Sequence, residues 1–471
     1  MKPSSSRTVR SNDKFKLIDS DLEGCLVEMF KRFRCPVAVT VDEYQQQAKS
    51  ASGIIEYTVK RKQTTVTPAT PYTESITMKH AQKYPKHIYL AMKAVYNVQH
   101  QLVELMITNC QGMIVPRMVI QVLSVIIANY PLLTKFAIKN CCVDQDIIQD
   151  LKSMLPYSAI TDICLDDCKS NNANYGVILK APTIVKNLSL CRCNISDSEC
   201  EEIAAMLRYP EFAETHLVTL NLTSNKIGDE GAKCLADALR TNRHLRYLNL
   251  ADNLIGDEGA IRIFHHLLEF RLTQDENVER RRRFFLYLKK KQEVYADCLK
   301  KLALSSIKRE HSKKKLMSHT TLTSREGSYQ SQYRPKKILK KIKNASQDST
   351  WQNIKADMMA IEILGPFEDP FGTNSYKSIN DSPFCVGNFT LSYLNLAYNN
   401  LTYQSLKILP NVVEHQIIHS TQKSCGLMKV ILDGNRLPVT CEELSTIQQK
   451  LKEHVNSFTN RIMKDRTANN C

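Results

Sequence analysis

The chain has 471 residues, of which 43% are hydrophobic, and it carries a formal net charge of +16 at pH 7. No run of 18 apolar residues occurs, which argues against a membrane-spanning helix, and the N-terminal residues MKPSSSRTVRSNDKFK lack the apolar core of a secretory signal. Sixteen cysteines without an export signal predict free thiols in a reducing compartment, so we expect a cytoplasmic protein.

The first hundred residues precede a repeat array and differ from it in pattern. Residues 1–20 are polar and basic without periodicity, which predicts a disordered tail. From residue 21 onward apolar side chains recur at helical spacing, and residues 87–94 are typical of a strand that leads into the array. Because the open end of a stacked array must be covered, we predict an N-terminal cap over residues 21–100.

Two segments at an offset of 28 residues copy each other: LVTLNLTSNKIGDEGA begins at Leu217, and LRYLNLADNLIGDEGA begins at Leu245. Their pattern, L-x-x-L-x-L-x-x-N-x-I, is typical of a leucine-rich repeat with one strand and one helix per unit. Weaker copies begin upstream at residues 102, 133, 160 and 185, and two further convincing copies begin downstream at residues 391 and 427. We therefore predict an α/β fold, a leucine-rich repeat solenoid (horseshoe) with parallel strands on the concave face and helices on the convex face. Repeats 1–6 would occupy residues 101–270, and repeats 7–8 residues 389–440.

One position of the repeat carries a polar or sulfur-containing side chain where the chain leaves the strand. It is occupied by Asn225, Asn253, Asn399 and Asn435, and by Cys110, Cys141, Cys168 and Cys193. Stacked repeat over repeat, these side chains are predicted to satisfy the backbone groups stranded at the turn. Cys164 and Cys191 bring more sulfur into the same region, but the chain has no C-x-x-C pair, so we predict no metal site and no cofactor.

An acidic residue stands at the start of four repeat helices: Asp144, Asp197, Asp229 and Asp257. We predict that each carboxylate caps the free N–H groups in the first turn of the helix that follows it. The carboxylate pair in GDEGA has no His or Ser partner at a fixed spacing, which favours capping over acid–base chemistry.

The strand residues between the leucines should line the concave face, because side chains alternate along a strand. They contain no catalytic triad, no paired histidine and no glycine-rich phosphate loop, so we predict no catalytic residue and no enzyme. The later strands are polar and aromatic, as protein-binding surfaces often are, although ordinary solvated strand surface is the alternative for any one residue. The predicted partner-binding residues are Thr219, Asn221, Tyr247, Asn249, Tyr393 and Asn395.

The repeat period breaks between repeats six and seven, over residues 271–388. RYLNLADN at 246–253 and SYLNLAYN at 392–399 are near copies, so we predict that these strands are neighbours and that the intervening residues loop out. The helix of repeat six is predicted to continue into this insertion as a long basic helix, followed by disorder over residues 306–350. Beyond the last repeat, Thr440 and Glu443 form a predicted capping box before a C-terminal cap helix in residues 441–471.

The insertion holds nearly all of the net charge: residues 271–343 contain 22 Lys or Arg against 7 Asp or Glu, a net of +15. A flexible segment of this charge should attract a polyanion such as tubulin tails, nucleic acid or anionic lipid, with a salt-sensitive affinity. A solvated linker without a fixed ligand is the alternative. The predicted polyanion-binding residues are Arg280, Arg281, Arg282, Arg283, Lys289, Lys290 and Lys291.

The GDEGA-type repeats resemble the ribonuclease-inhibitor-like class of leucine-rich repeats. Residues 250–286, in which a repeat helix runs into LTQDENVERRRRFFL, resemble the family of leucine-rich-repeat-containing protein 71. That resemblance implies a non-enzymatic protein–protein interaction scaffold of ciliated and sperm cells, with the axoneme as its candidate location. A nuclear protein that binds nucleic acid through the basic insertion is the alternative function.

Overall fold

The computed structural model describes residues 22–33, 35, 37–46, 57–66, 89–108, 114–170, 173–180, 182–317, 336–372, 375–421, 424–438 and 441–468. The predicted tail at 1–20, the ladder residue Cys110 and the capping residue Thr440 lie outside this part of the chain. Two compact units are present: the first comprises Met1–Phe270 with Gly387–Cys471, and the second comprises Arg271–Val386. No helix in the described residues is both long enough and apolar enough to cross a membrane.

The first unit begins with a helix and four strands: α1 (Leu22–Arg32), β1 (Ala38–Gln46), β2 (Tyr57–Val66), β3 (Tyr89–Tyr96) and β4 (Leu102–Thr108). The helix buries the apolar face that the sequence predicts: Leu22, Cys25, Leu26, Met29 and Phe30. Strand β1 pairs antiparallel with β2 and parallel with β3, and β3 pairs antiparallel with β4. The strand predicted to lead into the array is β3.

The remaining elements follow in chain order: α2 (Arg117–Ile127), β5 (Lys135–Lys139), α3 (Gln145–Met154), β6 (Asp162–Cys164), α4 (Val177–Lys180), β7 (Asn187–Ser189), α5 (Asp197–Leu207), β8 (Thr219–Asn221), α6 (Asp229–Leu239), β9 (Tyr247–Asn249), α7 (Asp257–Leu267), β10 (Phe270–Arg271), α8 (Gln274–Met317), α9 (Lys336–Leu364), β11 (Tyr376–Ile379), β12 (Ser382–Cys385), β13 (Tyr393–Asn395), α10 (Tyr403–His419), β14 (Lys429–Ile431) and α11 (Glu442–Ala468).

Eleven strands of the first unit form one open sheet in the order β14-β13-β9-β8-β7-β6-β5-β4-β3-β1-β2. From β4 to β14 every pairing is parallel, and a helix follows each strand. The strand leucines are fully buried beneath the sheet, as Leu220, Leu248 and Leu394 show with 0% exposure. The predicted α/β solenoid is confirmed.

The strands on either side of the insertion pair directly. Tyr393 lies opposite Tyr247, Leu394 opposite Leu248, and Asn395 opposite Asn249. The sequence prediction that these near copies are neighbours is therefore confirmed, and the sheet continues without a gap in its ladder.

In the second unit, α8 and α9 pack side by side. Their contacts run in opposite directions along the chain, since Lys291 meets Asp357 while Tyr287 meets Gly365, so the two helices are antiparallel. Strands β12 and β11 form a hairpin in a small three-stranded sheet.

Two expectations about the insertion were wrong. Helix α7 ends at Leu267, an extended Leu268 follows, and α8 is a new helix. It begins at a capping box in which Thr273 Oγ1 accepts from the Glu276 N–H at 3.1 Å and the Glu276 carboxylate accepts from the Thr273 N–H at 2.8 Å. The predicted disorder is also wrong for residues 306–317 and 336–350, because α8 reaches Met317 and α9 begins at Lys336, while residues 318–335 of that prediction lie outside the described residues. These stretches are polar but rich in Lys, which is a good helix former.

Candidate functional site

The ladder asparagines join the backbones of neighbouring repeats. Asn253 is only 6% exposed. Its Nδ2 donates to the carbonyls of Leu222 and Leu250, both at 3.0 Å, and its Oδ1 accepts from the N–H of Ile227 at 3.1 Å. The equivalent bonds are made by Asn225, Asn399 and Asn435. Each asparagine therefore satisfies buried groups of two repeats, as the sequence predicts.

Cysteines at the same position supply only the donor half of this arrangement. The thiol of Cys168 donates to the Ile138 carbonyl at 3.1 Å, and that of Cys193 donates to the Leu165 carbonyl at 2.9 Å. Burial raises the pKa of Cys193 to about 12, so this thiol is neutral, whereas a metal ligand must be a thiolate. Within the described residues, no group of three or more His, Cys, Asp or Glu is placed to hold a metal ion.

Three repeat acids cap the helix of the following repeat rather than their own. Asp229 Oδ1 accepts from the N–H groups of Gly256 at 2.8 Å and Gly259 at 2.9 Å. Asp197 serves Gly228 and Gly231 in the same way, and Asp257 serves Thr402 and Ser405.

The prediction that each acid caps its own helix is confirmed for Asp144, which accepts from the Ile147 N–H at 2.9 Å. It is wrong for Asp197, Asp229 and Asp257, because these residues occupy the first position inside their own helices, where the side chain leans toward the next repeat. At α7 the close approach of the carboxylate leaves no room for a side chain at Gly259, since a Cβ there would lie 2.7 Å from Asp229 Oδ1. The GDEGA motif therefore stabilises the stacking of one repeat on the next.

A second polar ladder, which the sequence analysis missed, lies where each helix returns to the sheet. Asn242, 1% exposed, donates from Nδ2 to the Leu207 carbonyl at 2.9 Å. One repeat later Asn388, 0% exposed, donates to the carbonyls of Leu239 at 2.9 Å and Asn242 at 3.0 Å. The available signal was the spacing N-x-x-L, since each asparagine stands three residues before the first leucine of its repeat.

All six predicted partner-binding residues lie together on the strand face, by which we mean the outward side chains of β4–β9, β13 and β14. The strand register places them in two parallel rows of three: Thr219, Tyr247 and Tyr393, and beside them Asn221, Asn249 and Asn395. The rings of Tyr247 and Tyr393 have centroids 5.6 Å apart with an interplanar angle of 36°. Tyr247 is 47% exposed, and Lys429 Nζ lies 5.8 Å from the centre of the Tyr393 ring.

The earlier strands of the strand face carry charged and polar side chains that bond to one another. Asn187 Nδ2 donates to Asp162 at 2.7 Å, and Ser189 Oγ donates to Asp166 at 2.6 Å. These rows border a depression of about 290 Å³. The strand face is therefore charged at its N-terminal end and aromatic at its C-terminal end.

An exposed aromatic residue beside the predicted rows was also missed. Tyr398, 64% exposed, follows β13 with a φ of 55°, and a Cβ on Gly434 would lie 2.3 Å from its ring. Its position is the one that Ser224 and Asp252 hold in earlier repeats, also at positive φ. The repeat consensus allows any residue type at this position, so the sequence pattern alone does not predict an exposed aromatic side chain there.

The seven predicted polyanion-binding residues fall into two groups on α8. Three are engaged within the second unit: Arg280 Nε donates to the Phe371 carbonyl at 2.7 Å, Arg283 pairs with Asp369 at 2.5 Å, and Lys291 pairs with Asp357 at 2.8 Å. The Asp369 side chain is 0% exposed, so its ion pair with Arg283 is shielded from water. The exposed basic residues are Arg281, Arg282, Lys289 and Lys290.

Comparison with known proteins supports the repeat assignment. Residues 213–236, 241–264 and 387–407 match the family described as Leucine Rich repeat. These stretches contain β8, β9 and β13 and the helices or helix starts that follow them. A search of curated proteins returned no match.

Proposed function

We propose that this leucine-rich-repeat protein is a non-enzymatic scaffold whose strand face binds a protein partner and whose insertion contacts an acidic surface through its exposed basic residues. The observation that carries the proposal is the contacting pair Tyr247 and Tyr393, neighbours in one of the two ordered rows of the sheet, with Tyr247 47% exposed. Tyrosine is enriched at the energetic centres of protein interfaces, because its ring offers a large contact area at a small entropic cost.

Polar neighbours of the tyrosine pair suit a protein partner. Oδ1 of Asn249 accepts from the Ala251 N–H at 3.2 Å, and Oδ1 of Asn395 accepts from the Ala397 N–H at 3.0 Å. These bonds hold each amide in place. An aromatic centre bordered by fixed amides is the composition of many protein-binding surfaces.

The basic part of the proposal concerns only the exposed side chains of α8. Arg281, Arg282 and Lys289 share its solvent face, and Lys290 lies beside them. Four cations within ten residues favour an acidic surface such as the tails of tubulin, and the resemblance of residues 250–286 favours a ciliary or flagellar axoneme as the site of action.

The strand-face proposal is tested by recovering binding partners from ciliated tissue with the full chain and with the double variant Tyr247→Ala/Tyr393→Ala. We expect the variant to lose the main partner by about tenfold or more, because two aromatic anchors would be removed from the strand face. Tyr157→Ala is the matched control, since Tyr157 is 78% exposed and lies outside the strands. Equal recovery by the double variant and the control would overturn the proposal.

The basic-surface proposal is tested by sedimentation of the full chain with microtubules. The variant with Arg281, Arg282, Lys289 and Lys290 changed to Glu should lose binding, and the intact chain should lose it as salt rises or when the tubulin tails are removed. Reversal of four exposed lysines of the first unit, at positions 169, 180, 186 and 226, is the control for total charge. Selective retention by RNA or DNA over microtubules would instead favour the nuclear, nucleic-acid-binding function.

A further inference from the structure

Helix α9 carries an apolar stripe that faces solvent. Trp351, Ile354, Met358 and Ile361 are 59%, 57%, 66% and 42% exposed. Their spacing of three, four and three residues places them on one side of the helix, as in the seam of a coiled coil. Ala356 and Ala360 on the other side are fully buried, and α9 packs there on α8. The stripe is thus a second apolar face, and Trp351 is the single tryptophan of the chain.

Charges along the stripe are arranged asymmetrically. On one edge Lys355 and Glu362 stand seven residues apart, both exposed, with Lys355 Nζ 4.8 Å from the centre of the Trp351 ring. On the other edge Asp357 pairs with Lys291 of α8 at 2.8 Å. The edge formed by Lys355 and Glu362 therefore carries one positive and one negative charge, and these charges can select the partner.

We infer that this stripe is a self-association surface that joins α9 to α9 of a second copy in antiparallel orientation. Trp351 then meets Ile361 of the second copy, and Ile354 meets Met358, in four layers that are related by a two-fold axis. In the same register the two copies of Lys355 flank the two-fold axis, and each reaches toward Glu362 of the second copy, about five residues or roughly 7.5 Å along the helix. Parallel pairing would instead place Asp357 next to Glu362 of the second copy, and these two negative charges would repel each other.

Charge also argues against an acidic occupant. The flanks of the stripe carry no net positive charge, since Lys355 is balanced by Glu362 and Asp357 is paired with Lys291, so a tubulin tail or an anionic lipid surface would find no cationic site there. This surface shares no residue with the exposed basic residues of α8 or with the strand face, so the inference does not depend on the proposed function. Four layers make a small interface, and the expected dissociation constant is micromolar rather than nanomolar.

The association is measured on the full chain by sedimentation equilibrium, with the emission of Trp351 as an independent reporter. We expect a monomer–dimer equilibrium in which dilution shifts the emission to the red as the ring becomes hydrated. Met358→Asp should weaken dimerisation by roughly 100-fold, since it buries a charge in the seam. Ile363→Asp is the matched control, because Ile363 is 58% exposed on the same helix but lies off the stripe. A purely monomeric chain, or equal effects of the two variants, overturns the inference.

Charge exchange tests the antiparallel register. Lys355→Glu and Glu362→Lys should each weaken self-association by roughly tenfold, because each places like charges together twice. An equimolar mixture of the two variants should dimerise as the unchanged protein does, since every edge pair is then of opposite sign. Failure of the mixture to recover dimerisation, or tighter dimers of Glu362→Lys alone, overturns the antiparallel arrangement.

Discussion

At the scale of single residues, the ladder position shows why asparagine and cysteine are unequal there. An asparagine amide both donates and accepts, so Asn399 bonds to the Leu250 carbonyl at 2.9 Å and to the Ile255 N–H at 3.1 Å. A thiol at this position, such as that of Cys193, donates to a carbonyl of the preceding repeat, Leu165 O at 2.9 Å. Where asparagine replaces cysteine along the array, successive repeats are therefore joined by acceptor as well as donor hydrogen bonds.

Replacing one ladder asparagine should be costly, while replacing its neighbour should not. We expect Asn399→Ala to lower the free energy of unfolding by about 2–4 kcal/mol, because buried carbonyl and N–H groups lose their partner. Asn400→Ala is the same chemical change at a partly exposed side chain and should cost less than about 1 kcal/mol. Urea denaturation of both variants measures the difference, and similar losses would contradict the ladder's role.

We expect His266 to make the stability of the first unit depend on pH. Its side chain is 3% exposed, and Nε2 lies 3.4 Å from Asp237 Oδ1, too long for a strong bond. Burial therefore lowers the pKa of His266, with Arg240 and Arg262 adding to the effect, while the contact with His266 and the Arg262 ion pair lower the pKa of Asp237 to about 2.

The sign of the effect follows from these two shifts. As the pH falls below about 6.5, the unfolded chain binds a proton at His266 before the folded chain does, so stability decreases. The contribution of Asp237 is lost only below about pH 4. We expect His266→Gln to flatten the decline in unfolding free energy between pH 7 and pH 5, and His265→Gln, an exposed neighbour, to leave it unchanged. Thermal melts across this range check the prediction, which fails if the two variants decline in parallel.

At the scale of elements, three repeat helices receive part of their N-terminal cap from the repeat before them. Helices α6, α7 and α10 all receive a carboxylate from the preceding helix start. The glycines at the start of α6 and α7 leave room for that carboxylate, and at α10 the same positions are held by Thr402 and Ser405. In α6, α7 and α10 the same hydrogen bonds cap the helix and stack it on the preceding repeat, so these helices cannot be fully capped without that repeat.

Removal of one such carboxylate should act on the following repeat. We expect Asp229→Ala to destabilise the protein by about 1–3 kcal/mol, since the N–H groups of Gly256 and Gly259 lose their acceptor. Glu230→Ala removes an exposed acid that pairs with Lys233 at 2.9 Å and should cost less than about 1 kcal/mol. Hydrogen exchange should locate the extra opening at the start of α7. Opening confined to α6 would contradict inter-repeat capping.

At the scale of the whole molecule, the insertion interrupts the sequence of the array but not its bonding. The ladder, the capping acids and the strand pairing all pass directly from repeat six to repeat seven within the first unit. Gly387 marks the return, with a φ of 111° and a position at which a Cβ would lie 2.7 Å from the Leu267 carbonyl oxygen. The chain at Gly387 therefore packs against the end of α7 as closely as it would in an uninterrupted repeat.

The first unit should consequently fold without the insertion. We expect a chain in which residues 271–386 are replaced by a short Gly/Ser linker to unfold cooperatively, with a midpoint within a few degrees of that of the first unit in the intact protein. Calorimetry and circular dichroism measure this, the latter showing the loss of the α8 and α9 signal. A non-cooperative transition would show that the array needs the insertion.

The sequence by itself determined the repeat architecture, the ladder residues and the pairing of β9 with β13. The reason is that buried leucines and a turn asparagine must recur in every unit, so a local pattern repeated at a fixed period carries the fold. The tertiary structure alone decided which helix Asp229 caps, because that depends on how far one repeat is offset on the next. It also decided which cations of α8 face solvent and that the apolar stripe at Trp351 is exposed. The reason is that the packing of α8 on α9 determines which side of each helix is buried.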